Sequence, residues 1–174
     1  MDRNELTELF TELDKELKSS VDIILIGGAA MILHYGASRT TRDIDVLVLR
    51  GDTSSLKAAI KTVAQNRHLN EDWMNDAAKG FADIFPSDFY HRLIPLEYQF
   101  QNIRLYIIGR AEQIALKIIA LREQDLEDLE SLLTEATEQD KKVLVDIMEH
   151  TNTFRTDWAQ KIKYFLEEQG WKTE

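Results

Sequence analysis

Residues 22–49 read DIILIGGAAMILHYGASRTTRDIDVLVL, and their order decides the fold. The apolar run Asp22–Ile26 is short, β-branched and stops at Gly27-Gly28, which predicts a buried strand followed by a turn. Ala29 to Tyr35 then predict a short helix, with Gly36 as its C-cap. The polar stretch Ser38–Arg42 leads into Asp43-Ile44-Asp45-Val46-Leu47-Val48-Leu49, a second strand. Period-two geometry sets Asp43 and Asp45 on one strand face and Ile44 and Val46 on the other, with the aspartate Cα atoms roughly 7 Å apart.

Outward from this block, Leu6, Leu9, Phe10, Leu13 and Leu17 recur at helical spacing and predict a helix over 4–18. Gly51-Asp52 forms a turn, and Thr53 or Ser54 is the expected cap of a helix running to about Gln65. Residues 67–92 supply aromatic core material around Pro86 without a regular period. Strands are expected near 94–100 and 103–108, joined at Gln101-Asn102, and helices over 111–122, 125–135, 138–150 and 154–168. The reading is an α+β fold: a small mixed sheet in an α/β core over 1–109, and a helical C-terminal region over 110–174 packed on that core.

Bulk properties narrow the function classes. Hydrophobic residues make up 44% of the chain, enough for a core. The absence of cysteine excludes disulfides, thiolate metal sites and a cysteine nucleophile. The N-terminus has no secretory h-region, and no apolar run approaches the ~18 residues of a membrane span, so a cytoplasmic protein without membrane contact is expected. A net charge of −10 disfavours a general nucleic-acid coat. Locally, residues 38–68 carry six bases (Arg39, Arg42, Arg50, Lys57, Lys61, Arg67) against three acids, whereas 123–174 carry 14 acids against 6 bases. Phosphate attraction is therefore expected around 40–65 and not in the tail. Arg39 and Arg42 flank the acidic pair and suit either phosphate or an ion pair with it; Thr41 suits a hydrogen bond at the site or shapes the turn.

Two carboxylates at this spacing can share one hard cation, and Mg²⁺ takes one or two carboxylates plus phosphate oxygens. Two side-chain-free residues opening a helix let backbone approach a phosphate. Strand, Gly-Gly, short helix, then Arg-x-Thr-x-Asp-x-Asp entering a second strand is far more specific than any one part. The pattern resembles the nucleotidyltransferase superfamily of DNA-polymerase-beta-like fold, and IGGAAMILHYGASRTTRDIDVLV resembles its AbiEii/MenT-type toxin branch or a relative of it. EQIALKIIALREQDLEDLESLL resembles a later segment of such proteins, with Lys117, Arg122, Asp125 and Asp128 at the matching positions.

The resemblance implies Mg²⁺-dependent transfer of a nucleotidyl group from a nucleoside triphosphate to an acceptor hydroxyl. The acceptor would be tRNA or other RNA, a protein or a small molecule, and the branch points to the toxin half of a toxin–antitoxin pair, with an antitoxin partner. It assigns Asp43 and Asp45 as metal ligands and Gly27 and Gly28 to the phosphate-side turn; Arg39 and Thr41 are candidate nucleotide contacts by their position beside the acidic pair. Lys117 matches the triphosphate lysine, and Asp125 and Asp128 match late acidic residues of the site. Gly28 stands where the branch often has serine. Many superfamily members also bring a third carboxylate from a later strand, for which Glu97 is the candidate; without one, the chain reads instead as a degenerate member that binds nucleotide or a partner without turnover.

Lys117 and Asp128 are eleven residues apart, so on one straight helix their Cα atoms would stand about 16 Å apart. A break near 122–125, with Asp125 as N-cap of the second helix, is therefore expected, bringing Lys117 and at least one of Asp125 and Asp128 to the acidic pair.

Overall fold

The computed structural model describes residues 1–173 and forms two compact units: Met1–Lys79 with Leu93–Ile108, and Gly80–Arg92 with Gly109 onward. The architecture is α+β, a mixed sheet of five strands together with a helical C-terminal half.

In the first unit, α1 (Arg3–Glu16) starts in a capping box between Asp2 and Glu5 and buries Leu6, Leu9, Phe10 and Leu13. β1 (Val21–Ile26) is buried at every position because it has a strand on each side, β2 (Ile44–Arg50) antiparallel and β5 (Ile103–Ile107) parallel. Between β1 and β2 runs α2 (Gly27–Leu33). α3 (Thr53–Arg67) follows β2 and packs against α1. Its cap is Asp52 and not Thr53 or Ser54: Asp52 is the extended residue just before the helix (φ −83°, ψ 110°), and its carboxylate accepts from Ser54 N at 2.9 Å. Two short edge strands, β3 (Met74–Asn75) and β4 (Ile94–Pro95), complete the order β3-β2-β1-β5-β4.

The strand expected over 94–100 stops at Pro95. After Leu96 donates to Leu105 O (2.9 Å), the chain curls so that Tyr98 N donates to Leu96 O at 3.0 Å. The following turn is taken up by Asp14 of α1, whose buried carboxylate accepts from the backbone N–H groups of Gln101 (3.0 Å), Asn102 (2.6 Å) and Ile103 (2.9 Å). A charged acceptor for three adjacent amides outcompetes ladder pairing at that point. Glu97 is consequently exposed on irregular chain and not on a strand.

The second unit contains α4 (Arg110–Ala120), α5 (Glu123–Thr134), α6 (Glu138–Asn152) and α7 (Thr156–Glu168). Its core is Ile114, Ile118, Leu129, Leu132, Leu144, Ile147, Ile162 and Leu166. The segment Gly80–Arg92 belongs with these helices. Phe81 stacks on Trp158 with ring centroids 5.2 Å apart, and Arg92 Nε bonds Glu112 Oε1 at 2.6 Å. Among the described residues no helix is long and apolar enough to cross a membrane.

Candidate functional site

In the first unit the chain leaves β1 at Ile26, which pairs with Asp45 across the sheet. Gly27 adopts φ +60°, a left-handed conformation that favours glycine, and a Cβ there would stand 3.3 Å from Asp45 Oδ2. At Gly28 a Cβ would meet Thr41 Oγ1 at 2.5 Å, Thr41 Cβ at 3.0 Å and an Arg39 guanidinium nitrogen at 3.4 Å. Gly27, Gly28, Arg39, Thr41 and Asp45 are thus brought together. The space a serine at position 28 would fill is occupied by the Thr41 side chain, so a hydroxyl reaches the turn from the facing loop. Thr41 Oγ1 donates to Asp43 O at 3.0 Å. Asp43 immediately precedes β2 and is exposed; Asp45, its second residue, is half-buried between the buried Ile44 and Val46.

The donors at Asp43 and Asp45 are carboxylate oxygens, the hard ligands Mg²⁺ prefers, and a Cβ at Gly27 would stand against one of them. Among the described residues no group of three or more His, Asp or Glu side chains is placed to hold a metal ion. The candidate donors are then Asp43 and Asp45, a set that would leave most of a cation's coordination to substrate phosphate and water. A cavity of about 320 Å³ lies on the other side of β2, lined by Val46, Val48, Leu56, Ile60 and Met74, and none of the candidate residues lines it.

In the second unit the helix breaks as the spacing requires, one residue earlier than expected. α4 ends at Ala120, Leu121 turns the chain at φ 42° and ψ 46°, and α5 starts at Glu123. Asp125 is not the N-cap; it lies three residues past Arg122, the cap, and accepts the Arg122 backbone N–H at 3.0 Å. The reversal brings Lys117 to both acids: Nζ lies 2.6 Å from Asp125 Oδ1 and 2.7 Å from Asp128 Oδ2, with all three residues no more than 3% exposed. Lys117 does not reach solvent along its stem; the apolar run around it is the buried face of α4. Burial pushes the Asp125 carboxyl up, but hydrogen bonds from Arg122 and Lys117 outweigh it, and the net direction is below the usual value.

Sequence reading did not single out Glu112. It is fully buried, its Oε1 is held by Arg92, and its Oε2 packs against Gly109 with no hydrogen-bond partner among the described residues. Burial raises its pKa despite the guanidinium. An acid in the first turn of a helix is so ordinary a signal that nothing in the sequence marks this one.

No curated protein matches the chain. Among solved structures, one similar chain is an antigenic nucleotidyltransferase-like protein from Paracoccidioides brasiliensis, at 14% identity and a TM-score of 0.48, with 94% of each chain covered. A family model covers nearly the whole sequence, including the Gly27-Gly28 turn, the Asp43–Asp45 strand and the Lys117–Asp128 reversal. By that match over residues 4–171, the chain belongs to the family described as nucleotidyltransferase of unknown function (DUF6036).

Proposed function

We propose that this protein is a Mg²⁺-dependent nucleotidyltransferase acting in the cytoplasm on a nucleoside triphosphate and an acceptor hydroxyl. The observation that carries the reading is the convergence of a glycine turn, Thr41, Arg39 and Asp45 at the end of β1. Asp43 and Asp45 would hold the cation, which supplies charge neutralisation on the transferring phosphate. Gly27 and Gly28 bring bare backbone against Asp45 and Thr41, and Arg39 beside them would attract phosphate. In the transfer, the acceptor oxygen bonds to the α-phosphorus, the α–β phosphoanhydride breaks, pyrophosphate leaves and the hydroxyl proton passes to water.

On the sequence resemblance alone, Lys117 would serve the triphosphate and Asp125 or Asp128 would be a late acidic residue of the site. An ammonium has three N–H groups. Two are directed to Asp125 and Asp128, and all three side chains are buried. The acceptor we favour is RNA or protein, in the role of a toxin restrained by an antitoxin, on the sequence resemblance alone. A second reading, a nucleotide-binding module without turnover, is favoured by Glu97 lying off any strand.

The test is incubation with each labelled nucleoside triphosphate, Mg²⁺ and either total tRNA or cell lysate. Transfer that disappears in Asp43→Ala and in Asp45→Ala, with far-UV circular dichroism unchanged, supports the enzyme. Nucleotide binding without label transfer supports the module. An unchanged rate in either variant removes that residue from the metal role.

A further inference from the structure

We infer that the segment Met1–Arg3 is a clamp that positions the Gly27-Gly28 turn against the loop entering Asp43, with Arg3 as its positioning residue. Its consequence for transfer rests on the function proposed above; the clamp itself rests on geometry within the first unit.

α2 has only seven residues, no side-chain N-cap bond and no basic residue in its last turn. A helix this short has few internal hydrogen bonds, and its last carbonyls need outside donors. Arg3 supplies them: one guanidinium nitrogen donates to Leu33 O at 3.1 Å and another to Ile32 O. Two residues earlier, the Met1 carbonyl accepts from Thr41 N at 3.0 Å, and the Met1 nitrogen donates to Thr41 O. Thr41 is the residue whose hydroxyl stands against Gly28 and bonds the Asp43 carbonyl.

One short segment therefore grips the helix that opens at Gly27 and also the loop that faces it. The grip has a firm base, because the Asp2–Glu5 capping box fixes the start of α1 and Leu6, Phe10 and Leu13 behind it are fully buried. The spacing between Gly28 and Thr41 is then set by residues far away in sequence from both. Arg3 touches none of the candidate site residues and acts through α2.

The decisive variant is Arg3→Ala, compared with Arg3→Lys and with Arg67→Ala. Arg67 binds α1 elsewhere, through Glu12 at 2.6 Å and Glu8 at 3.5 Å, and so controls for general loosening of that helix. Hydrogen–deuterium exchange is read on peptides covering 38–43, and steady-state transfer is read as KM for the nucleotide and kcat. In folded Arg3→Ala, exchange over 38–43 should speed up by about fivefold or more, as expected when a local tether is lost. KM should rise severalfold with a smaller change in kcat, Arg3→Lys should recover part of both, and Arg67→Ala should change neither. Unchanged exchange and KM in folded Arg3→Ala, or an equal response in Arg67→Ala, overturns the clamp. If the wild-type protein transfers no nucleotide, the functional reading fails and the exchange comparison still decides the clamp.

Discussion

Replacing Lys117 with methionine removes the charge between two buried carboxylates while keeping a side chain of similar length, so the cost is almost wholly electrostatic. In the native protein Nζ is 2.6 Å from Asp125 and 2.7 Å from Asp128. At an effective dielectric near 20, each contact of that length is worth about 6 kcal/mol before desolvation is subtracted. Desolvation takes back much of it, and truncating one partner of a buried pair costs roughly 3–5 kcal/mol net. For a chain of this size that corresponds to a fall of roughly 6–20 °C in melting temperature. Asp125 keeps its bonds from Arg122, two at 3.0 Å and one at 3.5 Å, but Asp128 loses its ammonium.

The loss should depend on pH, with a definite sign. The native Asp125 carboxyl titrates below its ordinary value of 3.8, so the stability it contributes is present above that value and disappears as pH falls through the native one. Without Lys117 the burial cost is opposed by fewer bonds, and the variant takes up a proton at higher pH. The gap between wild type and Lys117→Met, measured by urea unfolding, should be largest at pH 7 and narrow toward pH 4. Adding Asp128→Asn to the variant should recover part of it as a coupling energy. A gap below about 1 kcal/mol at pH 7, or one constant down to pH 4, would refute the view that Lys117 balances these acids.

Two other substitutions test backbone and packing. Gly28→Ala should cost roughly 1–3 kcal/mol in urea unfolding, because its Cβ would lie 2.5 Å from Thr41 Oγ1; Thr41→Ala in that background should relieve most of the cost. Leu121→Gly should stabilise the protein by about 1 kcal/mol in the same assay, since Leu121 holds φ 42° at an exposed position where glycine has no Cβ penalty; an unchanged or lower unfolding midpoint would count against a strained reversal.

Local signals were the readable ones. The β1–turn–α2–β2 block announces itself because apolar runs, two glycines and an alternating Asp-Ile-Asp lie consecutively in the chain. The reversal after α4 was deducible because a straight helix would separate Lys117 from Asp128, although its place one residue earlier depends on Leu121 tolerating a left-handed conformation. Two-residue strands such as Met74–Asn75 carry no period to detect. The loss of the strand beyond Pro95 depends on Asp14, which lies 87 residues before Gln101 and looks like any polar position of an amphipathic helix. The union of Gly80–Arg92 with the C-terminal helices is likewise settled by partners distant in sequence, Phe81 with Trp158 and Arg92 with Glu112.

The parallel pairing of β1 with β5 has a consequence for synthesis and folding. Val21 lies beside Ile103, so one side of the innermost strand has no partner until more than eighty further residues have been made. During that interval β1 can close only with β2, and its other edge offers an apolar ladder to any strand that arrives first. A ribosome-bound or truncated chain ending near residue 79 should therefore be prone to self-association, which the antiparallel β1–β2 pair alone cannot prevent. The slow step of folding should be arrival of Ile103–Ile107 at β1, since closing so long a loop is costly before the pairing rewards it.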